Sequence, residues 1–245
     1  MDIRKTVDAC TRVMFLRTWI EEMKHTKLAL GTLVVALGLL MASPAWAALA
    51  KVANWRMNER SGPMIDSSRY HNNGNPKQVV PTGSTYRFNG STSRVAVRDD
   101  NGLNPAARNI ILRASVKVTG RSMDDDSYDV VRKGLVTTPG GDYKMEIIRS
   151  SNSTVGRLHC LFKGTRGTVR KVAPPDIVDR RWHTLACIKT GNSVVARVGK
   201  KSYTQRGSAG SISNSKEVLV GAKMTNPLDD VFHGSMNFVS IHIAR

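Results

Sequence analysis

The sequence predicts an all-β protein: a two-sheet antiparallel sandwich of the jelly-roll type. Three observations carry this. From Ala48 onward the chain is a succession of apolar runs of four to nine residues, each bounded by Gly, Asn, Asp, Ser or Pro. No segment past that point shows an apolar stripe at helical spacing over three turns. No low-complexity linker or internal repeat interrupts the series, so residues 48–245 read as one domain with enough chain for a proper core.

Residues 1–47 are set apart as an export leader. Met23-Lys24-His25-Thr26-Lys27 is a short positive segment, the stretch from Leu28 to Met41 is apolar, and Ala45-Trp46-Ala47 has the small-x-small form of a cleavage site. The apolar run, about 14 residues, is shorter than the roughly 20 a bilayer-spanning helix needs; a membrane anchor is the bland alternative. The residues before Met23 are foreign to a signal peptide, and Met14 and Met23 are both possible starts. The expected location is therefore secreted, and the expected state a monomer.

The elements follow in order. "STYRFNGSTSRVAV" (84–97) alternates around Asn89-Gly90, read as a tight hairpin turn in which Gly supplies positive φ. "NIILRASVKV" (109–118) is β-branched and alternating at its end. "YKMEII", "GRLHCLF", "WHTLACIK", "SVVARV", "EVLVGAK" and "MNFVSIHIA" are further short strands. "MDDDSYD" (123–129) is acidic, and Asp124, Asp125, Asp126 and Asp129 lack the Gly and closing Glu of an EF-hand, so they read as a solvated loop. Pro174-Pro175 excludes a central strand there.

Cys160 and Cys187 are the two cysteines after the leader. In a strand, residues two apart share a face. Leu158, Cys160 and Phe162 lie on one side of their strand, and Leu185 and Cys187 on one side of theirs, opposite Trp182, Thr184, Ala186 and Ile188. Each Cys has apolar company, so a disulfide across neighbouring strands is expected, and a nucleophilic thiol, which needs a base and an electropositive setting, is not. His183 and Trp182 point to opposite faces and form no single site. His183 reads as packed or hydrogen-bonded, and Trp55 and Trp182 as core anchors rather than sugar platforms.

"DRRWHTLACIKTGNSVVARVGK" (179–200) resembles the D-G-x-W-H segment of laminin-G-like domains of the concanavalin A-like lectin/glucanase superfamily. "ANWRMNERSGPMIDSSRYHNNG" resembles their opening, "YRFNGSTSRVAV" their F-(D/N)-G segment, "VVRKG" their (I/V)-V-x-K-G, and "FHGSMNFVSI" their close. The five run in the expected order from Val52 to Ile243. The resemblance is closest to small secreted actinobacterial versions and implies a concanavalin A-like jelly roll.

It also implies a structural calcium. Asp66 is the best candidate ligand, with Asn89 and Asn237 as helpers, although Asn237 stands where Asp is usual and Asp66 reads equally as the cap of an Asx turn. The family's Val-Asp-Gly turn is altered to Val198-Gly199.

Glycoside hydrolysis needs two flanking carboxylates. No E-x-D-x-E pattern occurs, and Glu146 with Asp142 four residues earlier is the one thin chance. His71, His159, His183, His233 and His242 lack zinc spacing. The net charge of +18 attracts polyanions. The expected function is a secreted, non-catalytic module binding a carbohydrate or an anionic cell-surface polymer, with contacts at Arg69, His71, Asn72, Lys163, Arg166 and Arg170. The alternatives are a polysaccharide-cleaving enzyme of the same fold and a protein-binding envelope component. Bulk charge also permits nucleic acid, with no motif behind it. Asn89 and Asn152 head N-x-S/T sequons, idle in a bacterium.

Overall fold

The structure is a computed structural model that describes residues 49–119, 127–149, 154–224 and 226–245. All belong to one compact unit, Ala47–Arg245. The leader, the acids Asp124 to Asp126 and the sequon at Asn152 lie outside the described residues. The strands are β1 (Leu49–Trp55), β2 (Gly74–Lys77), β3 (Val80–Pro81), β4 (Tyr86–Asn89), β5 (Arg94–Val97), β6 (Ile110–Val118), β7 (Ser127–Lys133), β8 (Asp142–Arg149), β9 (Gly156–Gly164), β10 (Gly167–Asp176), β11 (His183–Lys189), β12 (Ser193–Val198), β13 (Lys201–Arg206), β14 (Val218–Val220) and β15 (His233–Ala244). Among the described residues no helix is long and apolar enough to cross a membrane.

The strands form two antiparallel sheets, as the alternating runs predict. The eight-stranded sheet runs β13-β12-β11-β6-β15-β4-β3, with β1 also on β15; the seven-stranded sheet runs β10-β9-β8-β7-β14-β5-β2. Their facing sides make the core, in which Trp55, Tyr86, Tyr143, Phe162 and Phe232 are fully buried. β10 carries Pro174-Pro175 at an edge, where a missing N–H costs no ladder bond, and the register breaks between Val172 and Asp176.

Two local expectations need correction. Asn89-Gly90 does not close a hairpin: β4 belongs to the larger sheet and β5 to the smaller. The turn is a corner between sheets, held by the Asn89 side-chain oxygen, which accepts from the N–H groups of Ser91, Thr92 and Ser93. Likewise Cys160 on β9 and Cys187 on β11 are bonded, with Cα atoms 5.3 Å apart, but their strands belong to different sheets. The bond crosses the core and ties the two layers together.

The VVRKG segment also gains a reason. Lys133 is fully buried, and its Nζ donates to Asn214 O at 3.0 Å, to Lys216 O and to Asp99 Oδ1. It pins the segment that leads into β14. Gly134 follows at φ +82°, a conformation that needs glycine, and its carbonyl accepts from Arg132 Nε at 3.0 Å.

Candidate functional site

Trp182 does not join the core; it is 43% exposed. The turn before β11 sets its direction. Asp179 Oδ1 accepts from Arg181 N at 2.9 Å and meets His183 Nε2 at 2.7 Å, while Arg180 takes φ +62°. From there the strand alternates: Leu185 and Cys187 point inward, Thr184 outward, and Trp182 keeps Thr184's parity. The expected hydrogen-bonded role of His183 holds, and the expected core role holds for Trp55 alone, whose indole N–H donates to Asn72 O at 2.7 Å.

Beside Trp182 lies an open groove of about 610 Å³ on the outer side of the larger sheet. Its floor is a cross-strand row. Arg87 on β4 pairs with Ser235 on β15, which pairs with Lys117 on β6. His183 pairs with Val116, so Trp182 stands level with Lys117. Thr82, Ser84, Thr85 and Thr119 line the walls. An aromatic face, several hydroxyls and two cations converge on one open surface, which suits a polar ligand with apolar ring faces.

The wider face is one-sided in charge. No strand of the larger sheet contains Asp or Glu. Lys51, Arg113 and Arg197 join Arg87 and Lys117 on it. His242 is pushed down to about 4, first by burial and then by the nearby charges of Lys51 and Arg113.

Every acid in a described strand belongs to the smaller sheet: Asp129, Asp142, Glu146 and Asp176. Asp129 is fully buried rather than solvated, which corrects the loop reading. The register breaks between Asp129 and Val131. In a regular strand residues i and i+3 face opposite ways; the bulge brings Asp129 and Arg132 to one side, where they pair at 2.7 Å. Asp129, Glu146 and His159 then stand opposite one another across β7, β8 and β9. His159 Nδ1 meets Glu146 Oε1 and Lys144 Nζ meets Oε2, each at 2.5 Å. The segment after β14 closes over them: Asp129 N donates to Asp230 O at 2.8 Å, and Lys223 pairs with Asp229 and Asp230.

One oxygen each of Asp129, Glu146 and Asp230 lies within 4.8 Å of the others. Burial pushes Asp129 up to about 7, against Arg132 and with help from Glu146. Burial also works to raise Glu146, but the hydrogen bond with His159 and the Lys144 charge outweigh it and hold Glu146 below the ordinary range. The group is already partnered from within: one Glu146 oxygen meets Lys144, the other meets His159, and one oxygen of Asp129 meets Arg132, leaving little for a metal ion to coordinate.

The calcium candidates do not converge. Asp66 spends its carboxylate on four donors: the N–H groups of Asn54, Ser68 and Asn72 and the Ser68 hydroxyl. It is an Asx-turn cap that ties β1 to the following loop. Asn89 is opposite His233 on β15; Asn237, in the bulge of the same strand, is four residues further on, about 13 Å at strand rise. Asn237 Oδ1 is buried with no hydrogen-bond partner among the described residues, but one orphan acceptor is no calcium site, and the three residues do not fit one.

The six expected ligand contacts fall into two groups. Arg69 and His71 are exposed beside β2; Asn72 is buried and structural, its amide donating to Val52 O at 2.9 Å, which removes it from a binding surface. Lys163, Arg166 and Arg170 sit on the β9–β10 hairpin, with Lys163 donating to Val136 O. β9 and β2 are five strands apart in the smaller sheet, roughly 24 Å, so the groups serve no common small site.

No protein-family model and no curated protein sequence matches the chain. Solved structures do. The chain is similar to the binding domain of botulinum neurotoxin serotype D, at TM-score 0.58 and 10% identity over 80% of this chain and 48% of that one. It is similar to the binding domain of Paraclostridial Mosquitocidal Protein 1, at 0.56 and 14% over 80% and 48%. It is also similar to domain 4 of AbnA, a GH43 extracellular arabinanase from Geobacillus stearothermophilus, in complex with arabinotriose, at 0.57 and 13% over 80% and 93%. What they share with this chain is the fold. The chain spans about half the length of the toxin binding domains it matches and nearly all of the arabinanase domain.

Proposed function

We propose that the chain is an exported, non-catalytic recognition module of the laminin-G-like kind, which binds a glycan or another sugar-bearing cell-surface polymer through the groove at Trp182. The observation that carries this is the large exposed aromatic ring of Trp182 beside the Arg87–Ser235–Lys117 row. The apolar face of a pyranose packs on such a ring while its hydroxyls reach the Ser, Thr and cationic groups around it. The ordered family segments, the leader and an arabinanase domain of matching size solved with arabinotriose support the reading. The test is a titration of the exported chain with a panel of cell-wall and extracellular glycans, following tryptophan emission. Binding with an emission change, lost in Trp182→Ala, is expected; retention of full affinity in that variant removes the proposal.

A polysaccharide-cleaving reading draws on the clustering of Asp129, Glu146 and Asp230. Reducing-sugar release from the same panel, abolished in Glu146→Gln, would put it in place of the first.

A further inference from the structure

Among the described residues five strands lie at sheet edges: β13, β3 and β1 in the larger sheet, β10 and β2 in the smaller. An edge strand holds out unpaired N–H and C=O groups, and proteins blunt it with proline, a bulge, brevity or a covering segment. All but one are blunted here. β3 is two residues long and ends in Pro81, β2 contains Pro76, and β10 contains Pro174-Pro175 and a register break. β1 is covered: Val52 O accepts from Ser68 Oγ and Asn72 Nδ2, and Asn54 N donates to Asp66 Oδ1. β13 is the exception. It runs for six residues, Lys201–Arg206, without proline and in unbroken register with β12, and every residue but the half-buried Tyr203 is exposed.

The hairpin with β12 decides which groups of β13 face outward. Lys201 stands opposite Val198, Tyr203 opposite Ala196 and Gln205 opposite Val194, and Gly207 N donates to Asn192 O at 2.9 Å at the next such position. These residues bond β12, so the residues between them direct their N–H and C=O groups the other way. Ser202, Thr204 and Arg206 therefore face the open edge, where Arg206 O accepts from Gln205 Nε2 at 3.1 Å. The surroundings are positive. No Asp or Glu occurs between Asp179 and Glu217, and Arg197, Lys200, Lys201 and Arg206 form no ion pair among the described residues. Arg197 Nε donates to Ser202 Oγ at 2.9 Å, and Arg206 lies four residues beyond Ser202, about 13 Å along the edge. An open hollow of about 680 Å³ adjoins Thr204 and Arg206.

We propose that β13 receives an extended acidic segment of a partner protein as an added antiparallel strand. The backbone groups of Ser202, Thr204 and Arg206 supply the attachment, and the cations beside them select the sequence. Residues opposite one another in a ladder share a face. The partner positions opposite Ser202 and Arg206 therefore stand four residues apart on one face, and an acid at each meets Arg197 or Arg206. A second copy of this chain fits poorly. Two β13 strands paired about Thr204 would set Arg206 of each against Ser202 of the other, beside the Arg197 bound to it, and like charges so opposed are unfavourable. The edge is separate from the groove at Trp182, so this inference does not depend on the glycan reading.

The probe is a blocked, fluorescently labelled peptide, Thr-Glu-Thr-Val-Thr-Glu-Thr, whose affinity for the exported chain is read by polarisation at low and high salt. A second peptide replaces both Glu by Lys. A third is N-methylated at the central Val, which removes the donor that meets Thr204 O. The acidic peptide is expected to bind and to weaken with salt, and the other two to bind about tenfold less well or worse. Arg206→Gln should lose about threefold. Thr204→Pro removes an edge N–H that β12 does not use, a change edge strands tolerate, so the unfolding midpoint should hold while binding falls about tenfold. Trp182→Ala should bind the peptide as the unaltered chain does. Equal binding of the Lys or N-methylated peptide, or no binding of the acidic one, overturns the proposal, and the N-methylated peptide decides it even where Thr204→Pro does not fold. Self-association that is lost in Thr204→Pro would put a second copy at the edge and overturn it as well.

Discussion

Cys160 and Cys187, with Cα atoms 5.3 Å apart, join β9 of one sheet to β11 of the other. The bond closes a loop through the middle of the core, where Leu158, Phe162 and Leu185 are also fully buried. Replacing both cysteines by Ala is expected to lower stability by about 3–4 kcal/mol, the chain-entropy value for a loop of this length. Urea denaturation of the double variant against the oxidised protein measures it; a loss below about 1 kcal/mol would deny the bond its role.

Lys133 satisfies two carbonyls and Asp99 from inside the fold. Lys133→Met keeps the length and removes the donor, leaving those acceptors without it. A loss of about 3 kcal/mol is expected. The exposed Lys216→Met in the same segment serves as control, with a change within about 0.5 kcal/mol.

His242 and Asp129 give opposite pH dependences in one window. His242 titrates near 4 when folded, against 6.5 ordinarily. Between these values the unfolded chain holds a proton that the folded chain lacks, so stability is lost as pH falls from 6.5 through about 4. Solvent screening at this half-buried site limits the effect to about 1–2 kcal/mol. Asp129 is raised from 3.8 to about 7; its contribution is fully present below 3.8 and is lost as pH rises through about 7. His242→Asn should therefore make stability fall more steeply from pH 4 to 7, and Asp129→Asn should make it rise. Urea midpoints across that range test both, and parallel profiles for the two variants would refute the assignment.

Trp182→Ala should cost less than about 1 kcal/mol, and Trp55→Ala about 3–5, because Trp55 is fully buried and hydrogen-bonded while Trp182 stands in solvent. Emission of the Trp182→Ala protein should shift to the blue, since the buried indole then dominates.

Much of the fold was legible because burial writes itself into alternation. β6, β8, β9 and β11 each carry inward apolar residues at every second position, as does β15 from Val239 onward, and their runs predict strands directly. β13 was not: its residues are almost all exposed, so no apolar period marks it. The site was half legible. The parity of the 182–188 stretch already put Trp182 on the side away from Cys187, yet a large aromatic beside a strand suggests core, and nothing local says whether a second layer covers that side. Asp129 was misplaced for a different reason: a bulge turns it to the side of Arg132, its ion-pair partner, and the residues that help to bury it come from β8 and the segment after β14.

The sequence by itself determined most of the core strands, the excess of positive charge and the apolar surroundings of both cysteines, since each depends on neighbours along the chain. The tertiary structure decided which strands share a sheet. That settled three things no local pattern holds: the disulfide spans layers, the acids gather in one sheet against their own cations, and the other sheet shows solvent an acid-free face with Trp182 at its end. Pairing partners lie tens of residues apart, and the electrostatic field of a face is a sum over strands that meet only on folding.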